Sequence, residues 1–279
     1  MTPGHPPPRW KLPTGVDSAL WSYTQSERIA EEEDAFFKDD PLCRLDLAEV
    51  LERWRPPGQI VDLGCGAGRA SLALARCGFK VLSIDLSQPL LRKLDIEAKG
   101  QSLDIQCVRG NLCRLDFLPR SSFRGVLLLY STLGMIRGRR PRRIVLEMVE
   151  SVLEPTGELA LHVHNLWAQG RTADGRAWLA RLALDRLSTL GRRNPAPDHA
   201  DRAMTYRGIP GLAVHLYRWN ELSRDLRDAG LRITNVVPID SRTLSQRSRP
   251  GLFRLDRADG WLVFASRAAA TQNEPLDAP

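Results

Sequence analysis

The sequence has no run of about 18 apolar residues, the length that a membrane-crossing helix requires, and this excludes a helical span. Its amino terminus has no apolar stretch of the kind that marks a secretory leader. The opening, MTPGHPPPRWKLP, is rich in proline and reads as a disordered tail, so a cytoplasmic protein is expected. The five cysteines, Cys43, Cys65, Cys77, Cys107 and Cys113, are scattered. They form no C-x-x-C pair and have no histidine partner at zinc spacing, so neither a disulfide framework nor a metal site is expected. Lysine is scarce: the chain carries a net charge of +7, and nearly all of its positive charge is arginine. That balance is compatible with a polyanionic partner and equally with a genome's base composition. No segment repeats.

The 279 residues, 43% of them hydrophobic, suffice for one large domain or two small ones. From about Asp17 to Trp54 the pattern is helical. SERIAEEEDAFFKDDP opens at an N-cap, Ser26, and Pro41 is read as its end. PLCRLDLAEVLERW then sets Leu42, Leu45, Val50 and Trp54 on one stripe. After Pro56, Pro57 and Gly58 the rhythm changes. The short apolar runs QIVDLG, KVLSID, DIQCVRG, GVLLLY and GELALHVHN read as strands, and helical patterns separate most of them. One such helix closes at Gly78, another starts at the N-cap Ser87. This alternation predicts an α/β fold with a parallel sheet covered on both faces.

Downstream, DGRAWLARLALDRLSTLG is amphipathic and RRNPAPDHADRA reads as a polar loop. GLAVHLYRW, LRITNVVPI and GWLVFAS read as strands and NELSRDLRDAG as a helix. The expected division is a tail over 1–16, a helical extension over 17–57 and the main domain over 58–268. Within it lies an insertion at 166–207, a candidate substrate lid, and 269–279 is read as a second tail.

VDLGCGAGR, Val61 to Arg69, carries the chemistry. A triphosphate loop needs Lys-Ser or Lys-Thr after its last glycine, and Arg69-Ala70 stands there instead. A dinucleotide fingerprint needs G-x-G-x-x-G; here the third glycine comes one position early and Arg69 takes its place. What remains is a tighter G-x-G-x-G turn behind an acidic strand residue, Asp62. It permits close backbone approach by a cofactor without phosphate, and the acid can help to hold an ammonium group.

With these residues in hand, IVDLGCGAGR resembles the first motif of the class I S-adenosylmethionine-dependent methyltransferases. Asp85, closing VLSID, stands where that family contacts the ribose hydroxyls, and Asn111 stands beside the adenine, where the family commonly has aspartate. Arg124 departs from a frequent aspartate at the entrance of the fourth strand, and LEPTGELALHVHN is similar to the family's turn and fifth strand. The resemblance covers about 58–165 in detail. It implies a Rossmann-like, doubly wound, mostly parallel seven-stranded sheet with one antiparallel edge strand. It also implies S-adenosylmethionine as cofactor, held by Asp62, Gly64, Cys65, Gly66, Gly68, Asp85, Leu86, Asn111, Leu112 and Tyr130.

Open α/β sheets bind ligands at the carboxyl ends of their strands. Tyr130 and Ser131 end the fourth strand, and His164 and Asn165 end the fifth, with His162 two residues back on the same face. Tyr130 and His164 are the candidate catalytic groups. His215 and Tyr217, on one face of a later strand, and Trp21 and Tyr23, ahead of the first long helix, are candidates for the substrate side. A small-molecule methyl acceptor is the leading expectation. HLYRWNEL is similar to a segment of wobble-uridine tRNA methyltransferases, which keeps tRNA as an alternative, and a non-catalytic cofactor-binding scaffold is a third. RGRRPRR, Arg137 to Arg143, opposes the dipole of the helix it precedes, which an anionic ligand would offset.

Overall fold

The computed structural model describes residues 6–37, 40–189, 200–239 and 258–268. Three helices come first: α1 (Ser18–Thr24), α2 (Glu27–Phe37) and α3 (Pro41–Arg53). Alternation follows with β1 (Gln59–Leu63), α4 (Arg69–Arg76), β2 (Lys80–Asp85), α5 (Gln88–Gly100), β3 (Ile105–Arg109) and β4 (Phe123–Leu128). Next are the short α6 (Thr132–Met135), α7 (Arg139–Val152) and β5 (Leu153–His164). After a 3₁₀ turn at Leu166–Arg171 come α8 (Ala173–Thr189), β6 (Asp201–Tyr206), β7 (Ile209–His215), α9 (Trp219–Asp228), β8 (Leu231–Ile239) and β9 (Gly260–Arg267).

Seven strands form one sheet in the order β3-β2-β1-β4-β5-β9-β8. All neighbours are parallel except β9, which runs antiparallel to both β5 and β8, one place in from that edge. Strand order reverses between β1 and β4, and that switch point opens a crevice at the strands' carboxyl ends. Both faces are covered, and side chains alternate between them. Val61, Val126, Leu128, Leu161 and Val263 enter one core with α7 and α9; Ile60, Leu127, Ala160 and Phe264 enter the other with α3 and α4. In that alternation His162 and His164 share the face of Ala160, which carries the N-terminal helices.

Four expectations need correction. Pro41 does not end a helix; it begins α3, where a missing N–H costs nothing, and Asp40 caps it through Leu42 and Cys43 N–H. The stretch read as a tail over 1–16 is anchored at its end: Asn111 donates to Thr14 O, and Arg137 N–H to Gly15 O. The polar stretch before Met204 is in part a strand, β6, whose exposed residues give no apolar alternation; its partner β7 imposes the pairing. The hairpin turns at Arg207 (φ +48°) and Gly208 (φ +79°), so the unit inserted after β5 runs to His215 rather than stopping at 207. The stretches 1–5, 190–199, 240–257 and 269–279, including most of the arginine-rich loop and the second tail, lie outside the described residues. Among the described residues no helix is long and apolar enough to cross a membrane.

The α3 end is locked onto the sheet. Trp54 Nε1 donates to Glu158 (3.1 Å), which Arg53 also grips, and the indole fills the space above Gly125. A Cβ at Gly125 would stand 2.6 Å from the indole and 2.8 Å from Ile60. Gly125→Ala is therefore expected to overpack this core and cost about 1–3 kcal/mol. A lowered urea midpoint at unchanged m value would register it.

Candidate functional site

The glycine loop is shaped by the strand beside it. Gly64 and Cys65 N–H both reach Ile84 O, and Gly66 N–H donates to Asp85 Oδ2 at 2.9 Å. Asp85 Oδ1 accepts from Ser87 N–H at 2.7 Å. Burial pushes this carboxyl up, and the Ser87 and Gly66 amides oppose that push. All three glycines have positive φ, yet they serve different ends. A Cβ on Gly64 would strike Thr132 at 2.3 Å and one on Gly68 would strike Leu94 at 2.2 Å, so both glycines serve chain packing. A Cβ on Gly66 would meet only Glu33 Oε1, at 3.4 Å. Gly66 alone leaves its space to a ligand.

That space is a cavity of about 520 Å³, within the range of small-ligand sites. Of the residues singled out in sequence, Asp62, Gly64, Cys65, Gly66, Asp85, Leu86, Asn111, Leu112, Tyr130 and Tyr23 line it. Gly68 does not, for the reason just given. Asn111 is engaged differently from the expectation. Its amide oxygen accepts from Cys113 N–H (3.0 Å) and its NH₂ donates to Thr14 O (2.9 Å), so it anchors the N-terminal segment that walls the cavity. Asp62 is buried and accepts from Ser71 Oγ (2.7 Å), which in turn accepts from Ser83 Oγ (2.8 Å). Burial pushes its carboxyl up to about 6, and the Ser71 bond works against that.

A second cavity, about 680 Å³, adjoins the first and shares Tyr23, Phe37, Tyr130 and Met135 with it. Its walls include Ser131 and His164 from the strand ends, Gln169 and Arg171 from the 3₁₀ turn, and Met204, Tyr206, Leu212, Val214 and Leu216 from the hairpin. Tyr130 and Ser131, at φ +50° and +61°, are consecutive non-glycine residues in the left-handed region. Such conformations persist only where the surroundings over-determine them, and they cluster at functional sites. Tyr130 Oη donates to Asp40 Oδ2 at 2.7 Å, while Ser131 Oγ is buried with no hydrogen-bond partner. His164 is pushed down to about 3 by burial and by His162, whose ring lies 5.4 Å away, so its imidazole is neutral.

Four other candidates stand elsewhere. Trp21 lines neither cavity. Asn165 is fully buried, accepting from Trp167 N–H and donating to Ala258 O. His215 is clamped between Asp201 (2.8 Å) and Glu221 (3.0 Å), and Tyr217 is buried beneath Arg142. The period-two pattern correctly put His215 and Tyr217 together, but their face turns into the fold. Four of the five arginines in the Arg137–Arg143 cluster face carboxylates of the fold, and the fifth, Arg140, is exposed. Arg137 bridges Asp17 and Asp201, Arg139 binds Asp225, Arg142 lies 3.8 Å from Asp201, and Arg143 faces Asp228.

Sequence reasoning missed the roof. Thr14, Gly15 and Val16, with Glu33 and Phe37 of α2, close the first cavity. Arg207 at the hairpin tip pairs with Glu33, donates to Ile29 O (2.9 Å) and lies over the Phe36 ring at 4.5 Å. The one available signal was the adjacent aromatic pair in the acid-rich helix; nothing local says which surface that helix covers.

Residues 60–157 match a family model described as a methyltransferase domain. The cypemycin N-terminal methyltransferase of a Streptomyces species is 30% identical over 132 residues, 47% of this chain and 52% of that protein. The chain thus spans about half the length of the curated relatives it matches. The CcbJ methyltransferase of Streptomyces caelestis superposes with a TM-score of 0.64 at 18% identity, covering 88% of this chain and 99% of that one. The Burkholderia thailandensis 1,6-didemethyltoxoflavin-N1-methyltransferase, solved with 1,6-didemethyltoxoflavin and S-adenosylhomocysteine, gives 0.58 at 15% identity over 92% and 93%.

Asp62 offers a test of the cavity floor. A raised folded-state pKa means that the folded chain holds a proton which the unfolded chain releases. The associated stability is full below about pH 4 and is lost as pH rises through about 6. Asp62→Asn stays uncharged and can still accept from Ser71. It should therefore gain on the wild type by about 1–3 kcal/mol between pH 4.5 and pH 7.5. Denaturant titrations at both pH values measure this, and a constant offset would count against it.

Proposed function

We propose that this chain, a member of the class I S-adenosylmethionine-dependent methyltransferase superfamily, transfers a methyl group from S-adenosylmethionine to a small molecule. The first cavity would hold the donor and the second the acceptor. The observation that carries this reading is the pair of adjoining cavities meeting at Tyr23, Phe37, Tyr130 and Met135.

The donor set of the first cavity fits a cationic nucleoside and not a phosphate. Gly66 leaves room for close approach, and Asp62 and Asp85 put carboxyl groups at the glycine turn itself; of the cavity's other charged groups, Arg69 is taken up by Asp46, and Glu33 by Arg207. Asp85 would accept from the ribose hydroxyls with the lone pairs that Gly66 and Ser87 leave free. Leu86 and Leu112 give the base an apolar bed, and Asp62 lies by the glycine turn for the ammonium end. The bound cofactor supplies an activated methyl on sulfur. What the protein adds is alignment and exclusion of water. The N-terminal segment and α2 cover the donor, and the hairpin, held by Arg207, walls the acceptor. The 3₁₀ turn at Leu166–Arg171 and the β6–β7 hairpin act here as the acceptor's enclosure.

Neither other reading has a feature to itself. The tRNA reading drew on His215 and Tyr217, which face inward, and four of the five arginines in the Arg137–Arg143 cluster are matched by carboxylates. A cofactor-binding scaffold would also keep the space at Gly66 open, but it would not need the second cavity that adjoins it.

Calorimetry with S-adenosylhomocysteine, together with transfer of labelled methyl to small-molecule extracts with and without RNase, tests the proposal. Micromolar binding and RNase-resistant label are expected; label lost on RNase treatment would reverse the acceptor class. Asp85→Ala should weaken binding of S-adenosylhomocysteine by about 1.5–3 kcal/mol, the worth of a charge-assisted hydrogen bond. Unchanged affinity would remove Asp85 from the site.

A further inference from the structure

Glu33 spends only half of its carboxylate on the fold. Its Oε2 accepts from Arg207 Nη1, while Oε1 stands 3.4 Å from the place that a Cβ on Gly66 would occupy. Among the described residues no group donates to Oε1, which looks into the first cavity. An ionised carboxylate oxygen can only accept, so a ligand filling the space at Gly66 must bring it a hydrogen.

The acid next to it is Asp85. Gly66 N–H donates to Asp85 Oδ2 at 2.9 Å, so this one glycine has a carboxylate on its N–H and a second facing its open side. Burial pushes the Glu33 carboxyl up, Arg207 draws it back, and the charge of Asp85 adds a smaller push. Two such carboxylates repel each other unless a ligand supplies hydrogens to both. A vicinal diol does so with one hydroxyl for each, and Asp85 is the acid already assigned to the ribose.

Arg207 shows why Glu33 holds this position. It shares a two-residue hairpin turn with Gly208, and both have positive φ, +48° and +79°. Such turns favour Asn-Gly or Asp-Gly, so an arginine gains nothing there locally. Its gain is reach. The guanidinium, buried, binds Glu33 and donates to Ile29 O at 2.9 Å, and Arg28 returns a bond to Arg207 O at 2.6 Å. The Phe36 and Tyr206 rings meet edge to face at 5.8 Å across the same seam. Tyr206 lines the second cavity, so the tip that aims Glu33 belongs to the hairpin walling the acceptor.

We propose that Glu33 binds the donor's ribose, its Oε1 accepting from one hydroxyl while Asp85 accepts from the other. Arg207 is the positioning residue that holds Glu33 there. A ribose in place braces Glu33 and, through it, the hairpin, so that filling the first cavity firms the wall of the second. This rests on the reading of the two cavities given above.

Competition against tritiated S-adenosylhomocysteine on the full chain tests it. The probes are 5′-methylthioadenosine, which keeps the ribose and lacks the amino-acid end, and adenosine with its 2′-deoxy and 3′-deoxy forms. Glu33→Gln should weaken S-adenosylhomocysteine, 5′-methylthioadenosine and adenosine alike, by about tenfold, and spare one of the two deoxy compounds. Glu33→Asp, one methylene too short to meet Arg207 and the ribose together, should do the same. Arg207→Lys, unable to span Glu33 and Ile29 O, should narrow the preference for adenosine over that deoxy compound. S-adenosylhomocysteine should slow hydrogen exchange across 201–215 about fivefold in the wild type and not in Glu33→Gln. A loss confined to S-adenosylhomocysteine would put Glu33 at the amino-acid end, and equal losses on adenosine and both deoxy forms would reduce it to shaping the cavity. Either result overturns the proposal, as do unchanged affinities or hairpin exchange indifferent to the ligand. A wild type that binds no S-adenosylhomocysteine would instead defeat the donor-site reading, so the two failures are distinct.

Discussion

The hydrogen bond from Gly66 N–H to Asp85 is the constraint on which the site depends. It joins the turn after β1 to the end of β2, beside the point between β1 and β4 where the sheet's strand order reverses. The carboxylate is half-buried and needs donors, and the Gly66 and Ser87 amides each meet one of its two oxygens. That requirement sets the path of the glycine loop and the start of α5. The loop in turn leaves one open face, at Gly66, with acids around it.

Over this floor the chain builds a roof whose parts are distant in sequence. Arg207 at a hairpin tip reaches Glu33 of α2, and Arg137 ties α1, through Asp17, to β6, through Asp201. His215 then links Asp201 to Glu221. These groups are largely desolvated, so each charge must be matched within the fold. The match accounts for an arginine-rich stretch that a reader of the sequence takes for an anion site. Burial lowers the basicity of His215, and the two carboxylates outweigh burial and raise it overall. Its clamp is therefore strongest while the ring is protonated.

Much of the sheet was legible because both of its faces are buried. Runs such as GVLLLY and GELALHVH need only be apolar to be strands, and Gly78 and Ser87 mark helix ends by local backbone chemistry. The strand β6 was not legible, since its exposed residues carry no period and its pairing comes from β7. The donor side of the site was also legible in outline. Asp62, Gly64, Gly66 and Asp85 lie within one strand-turn-helix-strand unit, whose geometry is local. The acceptor side fared worse. Tyr130, Ser131 and His164, which end strands, reach the second cavity, whereas His215, Tyr217, Asn165 and Trp21 do not. Alternation says which residues share a face and not whether that face looks into a cavity or into the core.

The sequence by itself determined the alternation of strands and helices and a glycine turn beside acids, because those follow from periodicity and short-range backbone chemistry; the doubly wound strand order was what the family resemblance implied. Only the tertiary structure decided which glycine is left for a ligand. Gly64 and Gly68 are occupied by Thr132 and Leu94, side chains remote in sequence, and Gly66 is not. It also decided the roof and the second cavity, which arise where segments more than a hundred residues apart close on each other through paired charges. No local pattern encodes such contacts, since a buried arginine and a solvated one look alike until the partner carboxylate is in place.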